Sequence, residues 1–477
     1  MNKTALGIWK MGNLEKKEAS RWVLDCGEPK ILLLCLSLLA LQARAERTLA
    51  ERFQNLPSSA RGPDAILRID SLDTDTALTR MAELSGMGFG GVLLILSTAD
   101  DTTWDKLAQL ADRAGDLRME MGIQDFLLAT NETTQADGIL DVFDETAVSR
   151  HTNKMLSMLQ ARLGNHYGST LAWFLTRSFP NASPSRPPDL GALFLDRTGL
   201  DLTPYLPALE GKELDGIVSA AYVKEHVAYV TADAWRKRFA EPMRDLIQEA
   251  GLDAGIMASE FPLPPEEAAT YFKRPVLLGC PTSATARATN KRITQGAHNA
   301  LRRNIMGHLP LERVQTLPVP TQFACKHEMD RLFIDGATRL LLDPGATAWQ
   351  DEALFTDAAI ACLYARRWQF IFQQSAPLDA SGISWQANAT QVEMLAIGRT
   401  TSREHIYCLV NNSPNGGSIT GVFPEKISAA PPEYWSPENG EIIPLASFTQ
   451  VGDAQTSVRL FIEPYGAFFV VFKKAAE

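Results

Sequence analysis

Carboxyl side chains that follow apolar segments are the residues of this sequence best suited to acid–base chemistry. Glu260 follows the apolar segment Ala254–Ala258, and Asn131 and Glu132 follow Ile123–Thr130. A carboxyl group at the end of a buried strand can donate or accept a proton at a reacting atom. Glu260 is therefore the candidate catalytic residue, and Asn131 and Glu132 are candidate ligands for the polar groups of a substrate. A solvated loop is the alternative interpretation for each, because most exposed Glu residues have no special role.

The elements that would position these residues follow from a repeating pattern. Short apolar runs alternate with amphipathic stretches between Ala65 and Asp343, which is typical of β/α units. The strands are predicted at Ala65–Asp70, Gly91–Leu96, Ile123–Thr130, Thr170–Thr176, Ala254–Ala258, Val276–Gly279, Val314–Leu317 and Arg339–Leu342. The helices are predicted at Asp73–Ser85, Thr103–Glu120, Glu145–Leu163, Ala232–Ala250, Asn290–Met306, Gln322–Asp335 and Asp351–Gln374. Eight such strands predict an α/β fold, a (β/α)8 TIM-like barrel whose active face lies after the strand carboxyl ends.

Three residues mark helix ends in this pattern. Asp73 has the side chain to cap the first predicted helix. Gly251 and Gly336 follow helices at positions where a positive φ would end them.

After Gln374 the pattern changes to period-two alternation with turn residues. Strands are predicted at Val392–Ile397, His405–Val410, Tyr434–Trp435, Ile442–Pro444, Ser457–Ile462 and Ala467–Phe472. This spacing predicts a C-terminal antiparallel β-sandwich. The predicted domains are the barrel over residues 46–376 and the sandwich over residues 385–477.

The N-terminal segment has the pattern of a secretory signal. Ile31–Ala45 contains an apolar core of about 11 residues after Lys30 and ends in the small-x-small triplet Ala43-Arg44-Ala45. We expect residues 1–45 to be a signal peptide cleaved after Ala45, with Met11 as an alternative start. A buried N-terminal helix is the other interpretation. Cleavage would leave no stable membrane span and would place a bacterial protein outside the cell or in the periplasm.

Charge and cysteine content exclude other classes of protein. The chain has 46 basic and 56 acidic side chains, a formal charge of −10, and no run of Lys and Arg. This balance would repel a polyphosphate backbone, so nucleic acid is not an expected partner. None of the six Cys residues forms a Cys-x-x-Cys pair, so the sequence does not indicate a zinc ribbon or a redox motif.

A series of short segments, in order along the chain, carries a resemblance to a known family. These are Arg52–Pro57, Gly86–Val92, Thr198–Leu209, Asp330–Phe333, Tyr364–Arg367, Tyr407–Asn411, Trp435–Gly440 and Phe468–Phe472. The sequence resembles glycoside hydrolase family 106, the secreted α-L-rhamnosidases of bacteria. The resemblance implies a barrel with a terminal β-domain, a carbohydrate ligand, inverting hydrolysis by two carboxyl groups, and calcium as a cofactor. The residues alone assign no cofactor and no metal ligand.

The positions that match the family's functional residues differ in this sequence. An Asp-Ser-x-Glu element after the fourth strand is replaced by Arg177-Ser178-Phe179-Pro180, and Cys280 stands nearest a family Glu. Another family Glu aligns with Val314 without a gap or with Gln315 after a one-residue shift. Thr338 replaces an Asn, and Asp343 replaces a His. We expect Arg177, Cys280, Gln315 and Thr338 to line the barrel mouth as substrate-binding residues.

Two interpretations follow. The first is a secreted glycoside-hydrolase-like protein that binds carbohydrate and lacks the usual catalytic carboxylates, a pseudoenzyme. The second is an active glycosidase that cleaves rhamnose-containing or related glycans with relocated acid and base residues such as Glu260. Among aromatic residues near strand ends that could stack on a sugar, Trp173 has core packing as its default interpretation.

Overall fold

The computed structural model of the protein describes fifteen segments of the chain. They are residues 48–57, 60–96, 98–124, 127–128, 141–176, 186–212, 218–257, 270, 272–279, 284–299, 304–310, 321–343, 352–387, 392–427 and 430–474. The predicted signal peptide lies outside them. Within these segments, no helix is both long enough and apolar enough to cross a membrane. The chain forms two compact units, residues 1–57 and residues 58–477.

The first unit contains one described helix, α1 (Leu49–Gln54). Thr48 accepts a hydrogen bond from the backbone N–H of Glu51, and the Glu51 side chain accepts one from the backbone N–H of Thr48. This reciprocal pair satisfies two N–H groups that have no partner inside the helix.

Eight parallel strands of the second unit close into a barrel. They are β1 (Asp64–Arg68), β2 (Gly91–Ile95), β4 (Glu120–Gln124), β6 (Leu171–Thr176), β7 (Asp253–Ile256), β8 (Arg274–Leu278), β9 (Met306–Pro310) and β10 (Arg339–Asp343). A short parallel pair, β3 (Thr98–Ala99) and β5 (Leu127–Leu128), lies outside the barrel sheet. β10 pairs with β1 and completes the ring. The predicted (β/α)8 barrel is therefore confirmed.

Helices connect these strands. They are α2 (Thr74–Met87), α3 (Asp101–Asp116), α4 (Glu145–Leu163), α5 (Leu190–Thr198), α6 (Leu206–Leu209), α7 (Ala220–Trp235), α8 (Glu241–Glu249), α9 (Ala284–Asn299), α10 (Thr321–Ile334) and α11 (Glu352–Gln374). Asp73 caps α2 by accepting a hydrogen bond from the backbone N–H of Thr76. Gly251 and Gly336 have φ values of +82° and +105°. The three predicted helix ends are therefore confirmed.

Two strand predictions need correction. The seventh barrel strand is β9, Met306–Pro310, where the sequence pattern predicted the end of a helix, and the predicted strand at 314–317 lies outside the described residues. The Gly and Pro of β9 have low strand propensity, so pairing with both neighbours determines its structure. The third strand begins at Glu120 rather than Ile123 because the charge of Glu120 is neutralised inside the barrel.

The C-terminal region is an antiparallel sandwich of two sheets. The six-stranded sheet contains β11 (Ala376–Leu378), β13 (Met394–Thr400), β14 (Glu404–Asn411), β20 (Ala467–Lys473), β16 (Glu433–Trp435) and β17 (Ile442–Pro444). The four-stranded sheet contains β12 (Ser384–Ala387), β15 (Gly417–Phe423), β19 (Gln455–Ile462) and β18 (Phe448–Val451). Side chains of β14, β15, β19 and β20 form one shared core. The predicted sandwich is confirmed, with four strands that the sequence pattern missed.

Aromatic stacking and hydrogen bonds join the sandwich to the barrel. Trp368 of α11 stacks on Phe333 of α10 and meets Phe469 of β20 edge-on, with ring centroids 5.0 and 4.7 Å apart. Arg399 of β13 donates to the carbonyl oxygens of Phe372 and Ser375 at the end of α11. Because α11 follows the last barrel strand, these contacts connect the sandwich directly to the barrel's outer helices.

Candidate functional site

The interior of the barrel is filled in layers. The central layer is apolar and consists of Ile66, Leu93, Trp173, Leu175, Met257, Val276, Met306 and Leu341. Trp173 is completely buried and lies against Gly122, where a Cβ atom would approach its ring within 2.2 Å. Trp173 therefore packs the core, and the barrel is not an open pore.

A network of buried charges occupies the amino ends of the strands. Arg274 contacts Glu120 and Asp253, Arg339 contacts Asp64, and Arg339 lies 3.6 Å from Glu120. We call these residues the barrel floor. Burial alone would raise the pKa of Glu120, but the positive charges of Arg339 and Arg274 outweigh it and lower that pKa to about 2. The floor carboxylates and guanidinium groups compensate one another, so their role is structural.

At the opposite end, alternation along the strands directs a second layer into the barrel, polar except for Ile95. We call it the mouth layer: Arg68, Ile95, Gln124, His308 and Asp343. These residues lie at or near the carboxyl ends of β1, β2, β4, β9 and β10, where barrel proteins carry their functional groups. Asp70 lies beyond β1, exposed in the 3-10 turn Ile69–Ser71.

Arg68 and Asp343 form a two-pronged ion pair in the mouth layer. Arg68 Nη1 donates to Asp343 Oδ1 at 2.6 Å, and Nη2 donates to Oδ2 at 2.8 Å. The Asp343 side chain is 11% exposed and that of Arg68 is 31% exposed. This parallel geometry is the strongest arrangement that a guanidinium and a carboxylate adopt.

His308 completes this arrangement, with its Nε2 atom 3.4 Å from Asp343 Oδ2. Burial alone would raise the pKa of Asp343, but the hydrogen bonds of Arg68 and His308 and their charges hold it well below its usual range. Asp343 is therefore ionised at any physiological pH. It has no proton to give to a leaving group, and two oxygens already accept hydrogen bonds.

Most residues selected from the sequence fall outside the part of the chain that the structure describes. These are Asn131, Glu132, Arg177, Glu260, Cys280 and Gln315. Thr338 is described and lies away from the mouth. It immediately precedes β10, and its hydroxyl accepts from the backbone N–H of Ile305 just before β9. The amino ends of the strands are opposite the mouth, so the structure corrects the predicted place of Thr338.

Sequence reasoning missed Arg68 and His308. Arg68 lies inside the predicted strand Ala65–Asp70, which the structure ends at Arg68, so its place at the barrel mouth did not stand out. His308 was assigned next to a helix because the seventh strand was predicted too late in the chain. A charged residue that shares the inward face of an apolar strand is the signal that could have identified Arg68, whereas His308 required a correct seventh strand first.

The family resemblance implies calcium, and such an ion needs a set of several oxygen ligands. Among the described residues, no group of three or more His, Cys, Asp or Glu side chains is arranged to hold a metal ion. The acidic residues of the mouth and floor that are described pair with Arg or His instead.

Comparison with solved structures shows which proteins share this fold. A rhamnosidase from Novosphingobium sp. PP1Y matches with a TM-score of 0.70 at 12% sequence identity, over 90% of this chain and 84% of that chain. A noncanonic maltogenic α-amylase from Thermotoga neapolitana matches with a TM-score of 0.46 at 10% identity, over 87% of this chain and 100% of that chain. No protein-family model and no curated protein matches the sequence. At 12% identity the likeness to the rhamnosidase structure establishes the fold alone, an eight-stranded parallel barrel followed by a β-sandwich.

Proposed function

We propose that this protein is a secreted, carbohydrate-binding relative of the glycoside hydrolases that holds a sugar at the barrel mouth without cleaving its glycosidic bond. The observation that carries the proposal is the state of Asp343. It is the acid of the mouth layer, and Arg68 and His308 hold both of its oxygens.

Inverting hydrolysis requires a carboxyl group that keeps its proton and a carboxylate that is free to take one from water. Asp343 cannot be the acid because its pKa is far below its usual range. It is also a poor base, since the positive charge of Arg68 stabilises the ionised carboxylate and lowers its affinity for a proton. The family-matched positions Arg177, Cys280 and Gln315 carry no carboxyl group either.

The same groups are suited to binding. Sugar hydroxyls donate and accept hydrogen bonds, and charged partners strengthen both kinds of bond. Arg68 offers N–H donors at the partly exposed end of β1, and Asp343 offers an acceptor with a fixed orientation. Because each group is held in place by the other, binding of a sugar would cost little side-chain entropy at either residue.

The alternative is an active glycosidase that cleaves rhamnose-containing or related glycans. The fold likeness to a rhamnosidase favours it. It requires acids other than Asp343, with Glu260 as the first candidate and the exposed Asp70 as a described acid near the mouth.

Secretion belongs to the proposal as well, and the Ile31–Ala45 pattern supports it. Expression of the full chain in a bacterium, followed by intact-mass measurement of the protein outside the cytoplasm, tests this part. A mature N-terminus at Glu46 is expected. A full-length chain retained in the cytoplasm would contradict it.

Calorimetry with methyl α-L-rhamnoside and rhamnose-containing oligosaccharides tests the binding site. We expect Asp343→Asn and Arg68→Lys to weaken binding at least about tenfold, since Lys cannot reproduce the two-pronged contact. Asp112→Asn, which alters an exposed acid paired with His166, is the matched control. Unchanged affinity in both mouth variants, each folded at the temperature of the titration with a cooperative unfolding transition above it, would contradict a sugar site there.

A further inference from the structure

Exposed aromatic side chains lie on the long helix that begins with α7. Helix α7 continues through a π-helical turn (Arg236–Ala240) into α8 without a break. Pro242 accounts for the π turn, because proline lacks an N–H and its ring would clash with a carbonyl of the preceding turn. Residues 220–249 thus span about 45 Å at 1.5 Å per residue.

The start of this helix extends beyond the barrel on the mouth side. Barrel helices run from the carboxyl ends of one strand to the amino end of the next. α8 leads into β7 and packs against α4. The strands have four to six residues and span only about 13 to 20 Å. Since α8 alone covers most of that length, α7 must rise above the strand ends.

α7 rests on a small helical layer of its own. Its residues Val223, Val227 and Val230 are buried against Phe194 of α5 and Leu202. The stripe beside these valines carries Tyr222, His226 and Tyr229, which follow one another at helical spacing. We call these three residues the aromatic ridge. The ridge tyrosines are 38% and 51% exposed.

Neighbouring side chains hold the ridge in position. The rings of Tyr222 and His226 stack with centroids 4.0 Å apart, and His226 Nδ1 donates to the Tyr222 carbonyl oxygen at 3.0 Å. The guanidinium carbon of Arg197 lies 3.5 Å from the centre of the Tyr229 ring. One face of Tyr229 is therefore covered by a cation, and the ring is half exposed.

The charge of Arg197 indicates the ligand. Within the described part of the chain, Arg197 forms no ion pair, although the chain as a whole carries a charge of −10. An exposed guanidinium fixed on an aromatic ring presents its N–H groups to an anion, and carboxylates and phosphates are the anions that it binds with two parallel hydrogen bonds.

We propose that the aromatic ridge binds an acidic glycan, with one pyranose ring on the face of Tyr229 that Arg197 does not cover and the carboxylate of an adjacent sugar of the same glycan on Arg197. The apolar C–H face of a sugar suits an aromatic ring, and the phenol, imidazole and guanidinium groups match its polar substituents. Tyr222 and Tyr229 are about 10 Å apart along the helix, so a second ring of the same glycan reaches Tyr222. The inference rests on the proposed carbohydrate function and adds a site outside the barrel.

The test is calorimetry of the mature protein with an oligomannuronate and with maltohexaose, an acidic and a neutral probe of similar length. Tyr229→Ala should weaken binding of the acidic probe at least about tenfold. Arg197→Gln should weaken binding of the acidic probe and leave any binding of the neutral probe unchanged. Phe461→Ala removes a more exposed aromatic ring from the sandwich, 75% exposed on β19, and should have no effect.

Three outcomes would contradict the proposed glycan site. The first is that the wild-type protein does not bind the acidic probe, and the second is that Tyr229→Ala and Arg197→Gln both leave its affinity unchanged. The third is that the protein self-associates and Tyr229→Ala abolishes the self-association. Asp343→Asn separates the two proposals. If Asp343→Asn weakens rhamnoside binding while Tyr229→Ala leaves binding of the acidic probe unchanged, the proposed sugar site at the mouth stands and the proposed site on the aromatic ridge is wrong.

Discussion

Arg68 and Asp343 join the first and last strands of the barrel beyond the point where their backbones pair. The backbone register between β1 and β10 includes Ala65 and Leu342, whereas the ion pair connects the residues that end the two strands. The contact therefore closes the barrel at its mouth and, at the same time, occupies the carboxylate that stands where a catalytic group would be expected.

Removing one partner of this pair should destabilise the protein. We expect Asp343→Asn to lower the free energy of unfolding at pH 7 by about 2–3 kcal/mol, less than a fully buried pair because Arg68 is partly exposed. The depressed pKa of Asp343 contributes stability above about pH 3.8, its ordinary value, and that contribution disappears as the pH falls further. Urea unfolding at pH 7 and pH 3 measures both effects. A variant as stable as the Asp112→Asn control at pH 7 would contradict the pairing.

The barrel floor should be more sensitive to a single substitution. Glu120→Gln leaves three guanidinium groups, those of Arg61, Arg274 and Arg339, with less compensating charge. We expect a loss of about 3–5 kcal/mol at pH 7. Because the folded-state pKa of Glu120 is about 2 and its ordinary value is 4.5, the difference from wild type should shrink as the pH falls through that window. Glu83→Gln, in a surface pair with Arg80, should cost about 0.5 kcal/mol or less; equal losses in the two variants would refute a special role for the floor.

Two glycine substitutions should change stability in opposite directions. Gly122→Ala places a Cβ atom within 2.2 Å of the Trp173 ring, and overpacking of this kind costs about 1–3 kcal/mol. Gly86→Ala lies in α2, where a Cβ atom meets nothing within 4 Å, and should stabilise by about 0.5–1 kcal/mol. Thermal unfolding of both variants is the measurement. A neutral Gly122→Ala would show that Trp173 does not fill the barrel as described.

Asp330 should make the stability of the protein fall as the pH rises, the opposite of the effect expected for Asp343 and Glu120. It is buried in α10, accepts a hydrogen bond from the Tyr364 hydroxyl, and has Lys326 and Glu438 nearby. Burial raises its pKa well above the ordinary value, so its stability contribution is complete below about pH 3.8 and is lost as the pH rises through the folded-state pKa. Asp330→Asn keeps an acceptor for Tyr364 and cannot ionise. We expect it to unfold at higher urea concentration than wild type at pH 9, with the gap narrowing at pH 4; a variant less stable than wild type at both values would contradict this account.

The architecture could be predicted from the sequence, but the residues that form the barrel mouth could not. Continuous apolar strands and amphipathic helices have distinct periodicities, so the barrel and sandwich follow from pattern alone. β9 escaped prediction because its Gly and Pro residues form a strand only through pairing with β8 and β10. The Arg68–Asp343 contact spans 275 positions of the chain, and no local pattern reports such a pair. Thr338 shows the opposite error, in which alignment to a motif placed a residue at the wrong end of its strand.

Hydrolysis of a panel of aryl glycosides, beginning with an aryl α-L-rhamnoside, tests the central claim most directly. Release of the aryl group is followed with wild-type protein, Glu260→Gln and Asp70→Asn, using preparations that bind methyl α-L-rhamnoside. A sugar-binding protein without catalytic carboxylates should release the aryl group at the same background rate in all three. Turnover by the wild type that Glu260→Gln or Asp70→Asn abolishes, while binding is retained, would contradict the account and identify an active glycosidase.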